Sequence, residues 1–320
     1  MKNQIAILLF LIFFFQISYA VKPATNRFLV TGYLNSNWIK PTTDVEFITQ
    51  LDRIFFFGMS PDKNGEFTVN DQYIANYKLV KSKMKKEQEI LLVVGGGGLV
   101  ANMHVMGNDS LKREAYVKKI TDFAKKYKFD GIDIDWENDN SSTPRKLVPT
   151  KNLIAFIKSI RKKLPSQKII TASMNGSSVN QTAEIYNLLE DVNLRYYASL
   201  NKEGLHASIP TVKEGLQKHI TAKTPNNKII VGVPFYARGA NHKTIYYRDI
   251  VNNLTPRDTI TSMYDGCSFN SVQIMREKVK YFKEQGYKGI MIWELTQDAP
   301  YSHPMSLLKS ICNEAKAKKF

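Results

Sequence analysis

The 320-residue sequence predicts an α/β fold, a single (β/α)8 TIM barrel without a sizeable insertion domain between strands 7 and 8. Three observations lead there. Apolar runs of strand length alternate with longer stretches of helical period. Eight such runs occur. No low-complexity linker or break in composition separates them after Val21. Strands that alternate with helical patterns argue for parallel βαβ units, and eight units over this length argue for closure. An open doubly wound sheet would carry a glycine fingerprint after its first strand, where this chain reads GYLNSN (Gly32–Asn37).

The predicted strands, in order, are Phe28–Tyr33, Arg53–Phe57, Ile90–Val94, Gly131–Asp135, Ile169–Met174, Val192–Tyr197, Ile229–Val233 and Gly289–Trp293. Helical periodicity fills the gaps, as in YIANYKLVKSKMKKEQE, LKREAYVKKITDFAKKYK, NLIAFIKSIRKKL and SVQIMREKVKYFKEQ. The third strand runs into Gly95–Gly98. A G-x-G-x-x-G match from Gly95 fails at Val100, so this cluster reads as a place of close backbone approach rather than a phosphate cradle.

Residues 1–20 stand apart. Lys2 precedes an apolar run, Ile5–Phe15, too short to span a bilayer, and small residues close it at Ser18 and Ala20. This is the pattern of a secretory signal peptide, which leaves residues 21–320 as the barrel and implies a secreted, extracellular or periplasmic protein. No later segment is apolar enough for a transmembrane helix, so no membrane partner is expected. The formal net charge is +16. Such a protein can adsorb to anionic polymers. Yet its lysines are spread along helix-like segments without blocks interleaved with aromatics, which reads as solvated faces and not as a nucleic-acid surface. Two cysteines, Cys267 and Cys312, allow one disulfide or none. The five histidines show no metal-ligand spacing, and neither a metal nor a cofactor is expected. Asn-x-Ser/Thr sequons lie at Asn108, Asn140, Asn175, Asn180 and Asn253.

The stretch that carries chemistry is YKFDGIDIDWEN, Tyr127–Asn138. Residues two apart in a strand share a face, roughly 6.6 Å apart along the chain. Asp133, Asp135 and Glu137 therefore share one face, and Ile132, Ile134 and Trp136 the other. The apolar set belongs against the helices, so the acids line the barrel axis and climb toward the C-terminal rim, where barrel enzymes work. Three partly buried carboxylates so close cannot all ionise cheaply. The group should hold a proton, and the outermost acid should have a raised pKa, as a general acid near neutral pH requires. A Mg²⁺ site is the alternative use of such acids, although no second acid cluster supports it and Asn138 stands where an EF-hand loop needs glycine.

FDGIDIDWE resembles the fourth-strand signature of the family 18 glycoside hydrolases, the chitinase family. Thr31–Tyr33, RIFFF (Arg53–Phe57), LLVVGGGG, VNLRYY (Val192–Tyr197), VGVPFYAR (Val231–Arg238) and GYKGIMIWELTQD (Gly286–Asp298) are similar to that family's first, second, third, sixth, seventh and eighth strands, in order. The resemblance implies a β-1,4-linked N-acetylglucosamine polymer or oligosaccharide as substrate. It makes Glu137 the acid that protonates the leaving oxygen, while the substrate's own 2-acetamido oxygen attacks, with net retention. Asp135 would hold the acetamido N–H, Asp133 would share a proton with Asp135, and Tyr197 would donate to the acetamido carbonyl. Trp293 would floor the reacting sugar, with Tyr33, Phe57, Tyr236 and Arg238 lining the same subsite. A monomer is expected.

Departures from that family stand out at four positions. Its Met-x-Tyr-Asp in the sixth strand reads Arg195-Tyr196-Tyr197-Ala198 here, and Val93 and Gly97 occupy third-strand positions that usually carry Ser and an aromatic. These leave an endo-β-N-acetylglucosaminidase acting on N-glycan chitobiose cores as an alternative to a chitinase. A non-catalytic chitin-binding lectin on the same barrel is a third reading, against which stands the presence of Glu137.

Overall fold

Eight parallel strands close into a barrel in the order first, eighth, seventh, sixth, fifth, fourth, third, second, as the alternation of strand and helix requires. The computed structural model describes residues 27–59, 61–67, 69–96, 100–136, 148–176, 183–197, 200–255 and 260–317. The predicted signal peptide and, of the residues singled out above, Gly97, Gly98, Glu137, Asn138, Asn140, Asn180 and Ala198 lie outside the described residues.

The barrel strands are β1 (Leu29–Asn35), β2 (Arg53–Met59), β3 (Glu89–Gly95), β4 (Gly131–Asp135), β5 (Ile169–Asn175), β6 (Asp191–Arg195), β7 (Ile229–Pro234) and, after an insertion, β12 (Gly289–Trp293). Each coincides with a predicted run. The sixth ends earlier than expected, because pairing with β7 stops at Arg195↔Gly232 and Tyr196 and Tyr197 lie past the ladder. Helices α1 (Asp71–Lys83), α2 (Val100–Asn108), α3 (Ser110–Lys126), α4 (Thr150–Lys163), α5 (Ala183–Leu188) and α6 (Ile209–Thr221) follow β2 to β6. The link from β1 to β2 has only two short 3₁₀ turns, Ser36–Trp38 and Glu46–Gln50. Side chains start the helices where the sequence offers a short polar residue. Asn70 accepts from the Tyr73 amide at 2.7 Å, and Asp109 accepts from Leu111 and Lys112 at 2.9 and 3.0 Å.

Residues 239–288 were expected to hold little besides a helix. They contribute to a four-stranded antiparallel sheet of β8 (Tyr236–Gly239), β9 (Thr244–Tyr246), β10 (Met263–Tyr264) and β11 (Cys267–Ser268). With it come the short α7 (Tyr247–Val251) and α8 (Val272–Glu284), and α9 (Leu307–Lys316) follows β12. Its strands are two to four residues long, so the sheet is a rim element and not a domain. Cys267 and Cys312 are both buried and free.

Strand alternation divides the apolar side chains into two cores. Ile132, Ile134 and Trp136 join the large cluster between strands and helices, whereas Tyr33, Phe55, Leu91, Val93, Ile230 and Met291 fill the inside of the barrel. Beneath that inner layer sits an ion cluster. Arg53 donates to Asp191 at 2.8 and 2.9 Å and to Glu89 at 2.9 Å, and Lys288 reaches Asp191 at 2.9 Å.

Candidate active site

Strand β4 turns its acids inward, level with Val93 and Gly95 of β3 and Thr171 of β5. Asp133 has no solvent exposure. It accepts from the Tyr33 hydroxyl at 2.5 Å, from Asn193 Nδ2 at 3.2 Å and from the Thr171 hydroxyl. Burial pushes its carboxyl up to about 6, against the lowering effect of the Thr171 and Tyr33 hydrogen bonds. Asp133 can thus hold a proton in mildly acidic solution.

Asp135 stands one layer higher and is paired with a cation. Arg195, the last residue of β6, donates from Nη1 to Asp135 Oδ1 and also reaches Ser173 Oγ at 3.2 Å. The departure at the sixth strand therefore places a guanidinium between β4, β5 and β6. Two carboxylates this close were expected to relieve their repulsion by sharing a proton. Arg195 offers a second route, since a hydrogen-bonded guanidinium favours the ionised carboxylate.

The glycine cluster after β3 makes room for this layer. Gly95 and Gly96 have φ of 99° and 98°, and the Gly96 amide donates to the Asp135 carbonyl at 2.8 Å. A Cβ on Gly95 would lie 2.4 Å from that carbonyl oxygen, and one on Gly96 would lie 2.3 Å from the Phe57 ring. Close backbone approach is what these glycines provide.

An aromatic cluster lies beside the acids. Trp293, at the end of β12, is half-buried, with ring centroids 5.5 Å from Tyr33, 5.8 Å from Phe57 and 6.1 Å from Trp38. Phe57 faces this inner group, while Phe56 faces the helices. Tyr33 is 1% exposed, stacked on Phe55, so in the structure it supports Asp133 from below and offers no ring surface to a ligand. Tyr236 donates to the Tyr197 carbonyl at 2.7 Å, and half-buried Arg238 lies over the Tyr236 ring at 5.6 Å. Tyr197 is 7% exposed in the inner cluster. The structure thus brings Asp133, Asp135, Tyr33, Phe57, Tyr197, Trp293 and Tyr236 to one end of the barrel, with Arg238 at its edge.

Sequence reading missed three contributors. Trp38 ends the 3₁₀ turn Ser36–Trp38 just past β1, whereas Trp293 is the last residue of its strand, so the strand-end rule that pointed to Trp293 did not reach it. Tyr246, 6.1 Å from Trp38, becomes a neighbour only through the antiparallel β8–β9 pairing. Glu294 is fully buried and accepts from the Asn35 amide at 3.0 Å and from the Thr296 amide and hydroxyl at 3.0 and 2.6 Å. Burial pushes its carboxyl up to about 7, and it ties the ends of β1 and β12 together beneath Trp293. Among the described residues no group of three or more His, Cys, Asp or Glu could hold a metal ion, and no helix is long and apolar enough to cross a membrane.

Comparison with known proteins agrees with this geometry. The family model for glycosyl hydrolases family 18 matches residues 24–298. Chitinase 1 of Aphanocladium album is 23% identical over 268 residues, covering 66% of this chain and 62% of that protein. Chitinase A1 of Niallia circulans is 23% identical over 307 residues, covering 71% and 44%. The chain spans less than two thirds of the length of these curated relatives. Among solved structures, the GH18 chitinase ChiB from the chitin utilization locus of Flavobacterium johnsoniae superposes with a TM-score of 0.77 at 25% identity, covering 90% of this chain and 94% of that one. The chitinase-like agglutinin of Robinia pseudoacacia shares the fold, with a TM-score of 0.72 at 21% identity over 89% of this chain and 99% of its own.

Proposed function

Since this chain belongs to family 18 of the glycosyl hydrolases, we propose that it is a secreted enzyme cleaving β-1,4 bonds between N-acetylglucosamine units, with retention and without an enzyme nucleophile. The observation that carries this reading is the inward pair Asp133 and Asp135 on β4 beside Trp293. Glu137 follows two residues on, the spacing that keeps a strand's side chains on one face. In the proposed reaction Glu137 gives its proton to the glycosidic oxygen as the bond to the anomeric carbon breaks. The acetamido oxygen of the same sugar forms the new bond to that carbon, giving an oxazolinium ion. Water then attacks the anomeric carbon and returns a proton to Glu137, so configuration is retained overall. Asp135, ion-paired with Arg195, faces the positive charge that grows on the acetamido nitrogen. Tyr197 donates to the acetamido oxygen, and the faces of Trp293 and Phe57 pack against the apolar face of the sugar. Secretion follows removal of residues 1–20, and the active unit is a monomer.

Two expectations test this reading. The small sheet β8–β11 leaves little wall beside the site, which supports endo action on an open cleft. Soluble glycol chitin should lose viscosity early, and soluble polymer should be a better substrate than crystalline chitin. Predominant early release of dimers from chain ends would count against endo action. The second expectation concerns Arg195, whose positive charge favours ionised Glu137. A general acid must be protonated, so the alkaline limb of kcat/KM should come early and the optimum should be acidic. Removing the charge with Arg195→Met, or adding a carboxylate with Ala198→Asp, should move that limb upward. Profiles from about pH 4 to about pH 9 on one soluble substrate decide the point. A limb that stays in place in both variants would mean these side chains do not act on Glu137.

The Arg195–Asp135 pair also favours a second reading, because it occupies the carboxylate that would otherwise serve the acetamido group alone. The protein would then bind N-acetylglucosamine chains without turning them over. Product analysis on chitin oligomers and on a high-mannose glycoprotein separates the readings. Cleaved oligomers mean a chitinase, and a released N-glycan means an endo-β-N-acetylglucosaminidase. Calorimetric binding without products means a lectin.

A further inference from the structure

Lys278 of α8 is 1% exposed, and no carboxylate pairs with it among the described residues. Its amine donates to the Ala207 carbonyl at 2.6 Å and to Asn270 Oδ1. Asn270 Nδ2 in turn donates to the His206 carbonyl at 2.9 Å, and the His206 amide donates to Ser268 Oγ at 3.0 Å. The His206 ring, 1% exposed, meets the Tyr197 carbonyl through Nε2 at 2.9 Å. A carbonyl only accepts, so the proton is on Nε2. The unprotonated Nδ1 is buried with no hydrogen-bond partner among the described residues. Burial lowers the pKa of His206 to about 4, which keeps the ring neutral at ordinary pH. Burial also lowers Lys278 to about 7, and the two acceptors at its amine match the two N–H bonds of the neutral form.

These contacts converge on one atom. The Tyr197 carbonyl takes two hydrogen bonds, one from His206 and one from the Tyr236 hydroxyl. Tyr197 lies past the last ladder pair of β6, so strand pairing does not hold it. Its ring rests on Gly232, where an added Cβ would lie 2.8 Å away. Ala207, the residue Lys278 grips, has φ of 49°, a left-handed conformation that a non-glycine residue adopts only when its surroundings impose it. Burying an amine with neutral acceptors alone is costly, and nothing in the packing of α8 against β12 or α9 uses that amine. We propose that Lys278, Asn270 and His206 form a relay from α8 that positions Tyr197 at the end of the barrel. This rests on the reading above that the Tyr197 hydroxyl serves the acetamido group.

The test compares His206→Leu, which removes the donor, with His206→Gln, whose amide can present an N–H where Nε2 stands, and with Lys278→Met. Turnover is measured per folded molecule on chitotetraose, with Tyr197→Phe as the reference, and the thermal midpoint is measured in parallel. Misplacement of about 1 Å can cost up to about 10²-fold, so His206→Leu should lower kcat by about tenfold or more with little change in KM. His206→Gln should recover most of that loss, and Lys278→Met should fall between them. Crystal structures of His206→Leu and the parent locate the Tyr197 hydroxyl whether or not the protein hydrolyses. A lowered midpoint with unchanged kcat and an unmoved Tyr197 would overturn the relay. Unchanged kcat in Tyr197→Phe would overturn the role of Tyr197 instead, and the crystallographic position alone would then decide the relay.

Discussion

Glu137→Gln is expected to abolish hydrolysis while oligosaccharide binding stays nearly intact. The amide keeps the size and shape of the acid but has no proton to give to the glycosidic oxygen. General-acid magnitudes put the loss at about 10²-fold or more. Trp293 and Phe57, which the proposed function assigns to sugar binding, are unchanged in the variant. Turnover and calorimetric affinity measured on the same chito-oligosaccharide separate the two effects. If the variant kept more than a few per cent of parental turnover, Glu137 would not be the acid. If it lost affinity as steeply as rate, the carboxyl would be holding substrate rather than protonating it.

The largest loss of stability is expected from breaking the ion cluster at the other end of the barrel. Arg53 is 4% exposed and Asp191 has no exposure, and two hydrogen bonds join them. Burial alone would raise the Asp191 carboxyl, but Arg53 and then Lys288 outweigh it and hold the group below its usual range. Arg53→Met leaves buried Asp191 with Lys288 as its cation and removes the guanidinium from Glu89, and it should cost about 3 kcal/mol in urea unfolding, because a buried charge that loses its two-bond partner is far dearer than the intact pair. A double change, Arg53→Met with Asp191→Leu, should recover part of the loss. The sign with pH follows from the depressed carboxyl. Its contribution is fully present above the unfolded-state carboxylate pKa and is lost as pH falls through the lower folded value, so the parent should weaken below about pH 4 and Asp191→Asn should weaken less steeply there. A cost under about 1 kcal/mol for Arg53→Met would mean that water reaches the pair.

The barrel was legible in the chain because it depends on local periodicity. A period of two in FDGIDIDWE puts acids and apolar residues on opposite faces whatever the rest of the molecule does, and β4 was observed at its predicted bounds, Gly131–Asp135. Alternation by itself does not choose between Phe56 and Phe57, and the structure turns Phe57 to the inner cluster and Phe56 to the helices. Helix starts at Asn70 and Asp109 are equally local, since each side chain bonds an amide three residues away or nearer. The glycine cluster announced a close approach, though not what approaches.

Partners across the barrel were another matter. That Tyr33 would serve Asp133, that Arg195 would reach Asp135 and that Arg53 would cross to Asp191 depend on the stagger of strands when the sheet closes, and no spacing along the chain encodes a contact between residues 60 to 138 positions apart. Trp38 and Tyr246 meet because β9 folds back on β8, and Lys278 reaches Ala207 because α8 packs beside the loop after β6. By itself, then, the sequence determined which side chains face the axis and at what height, since backbone alternation sets that locally. Tertiary structure alone decided which of them touch, which cation pairs with which acid and which buried groups meet behind Tyr197, because closure brings together residues that the chain keeps far apart.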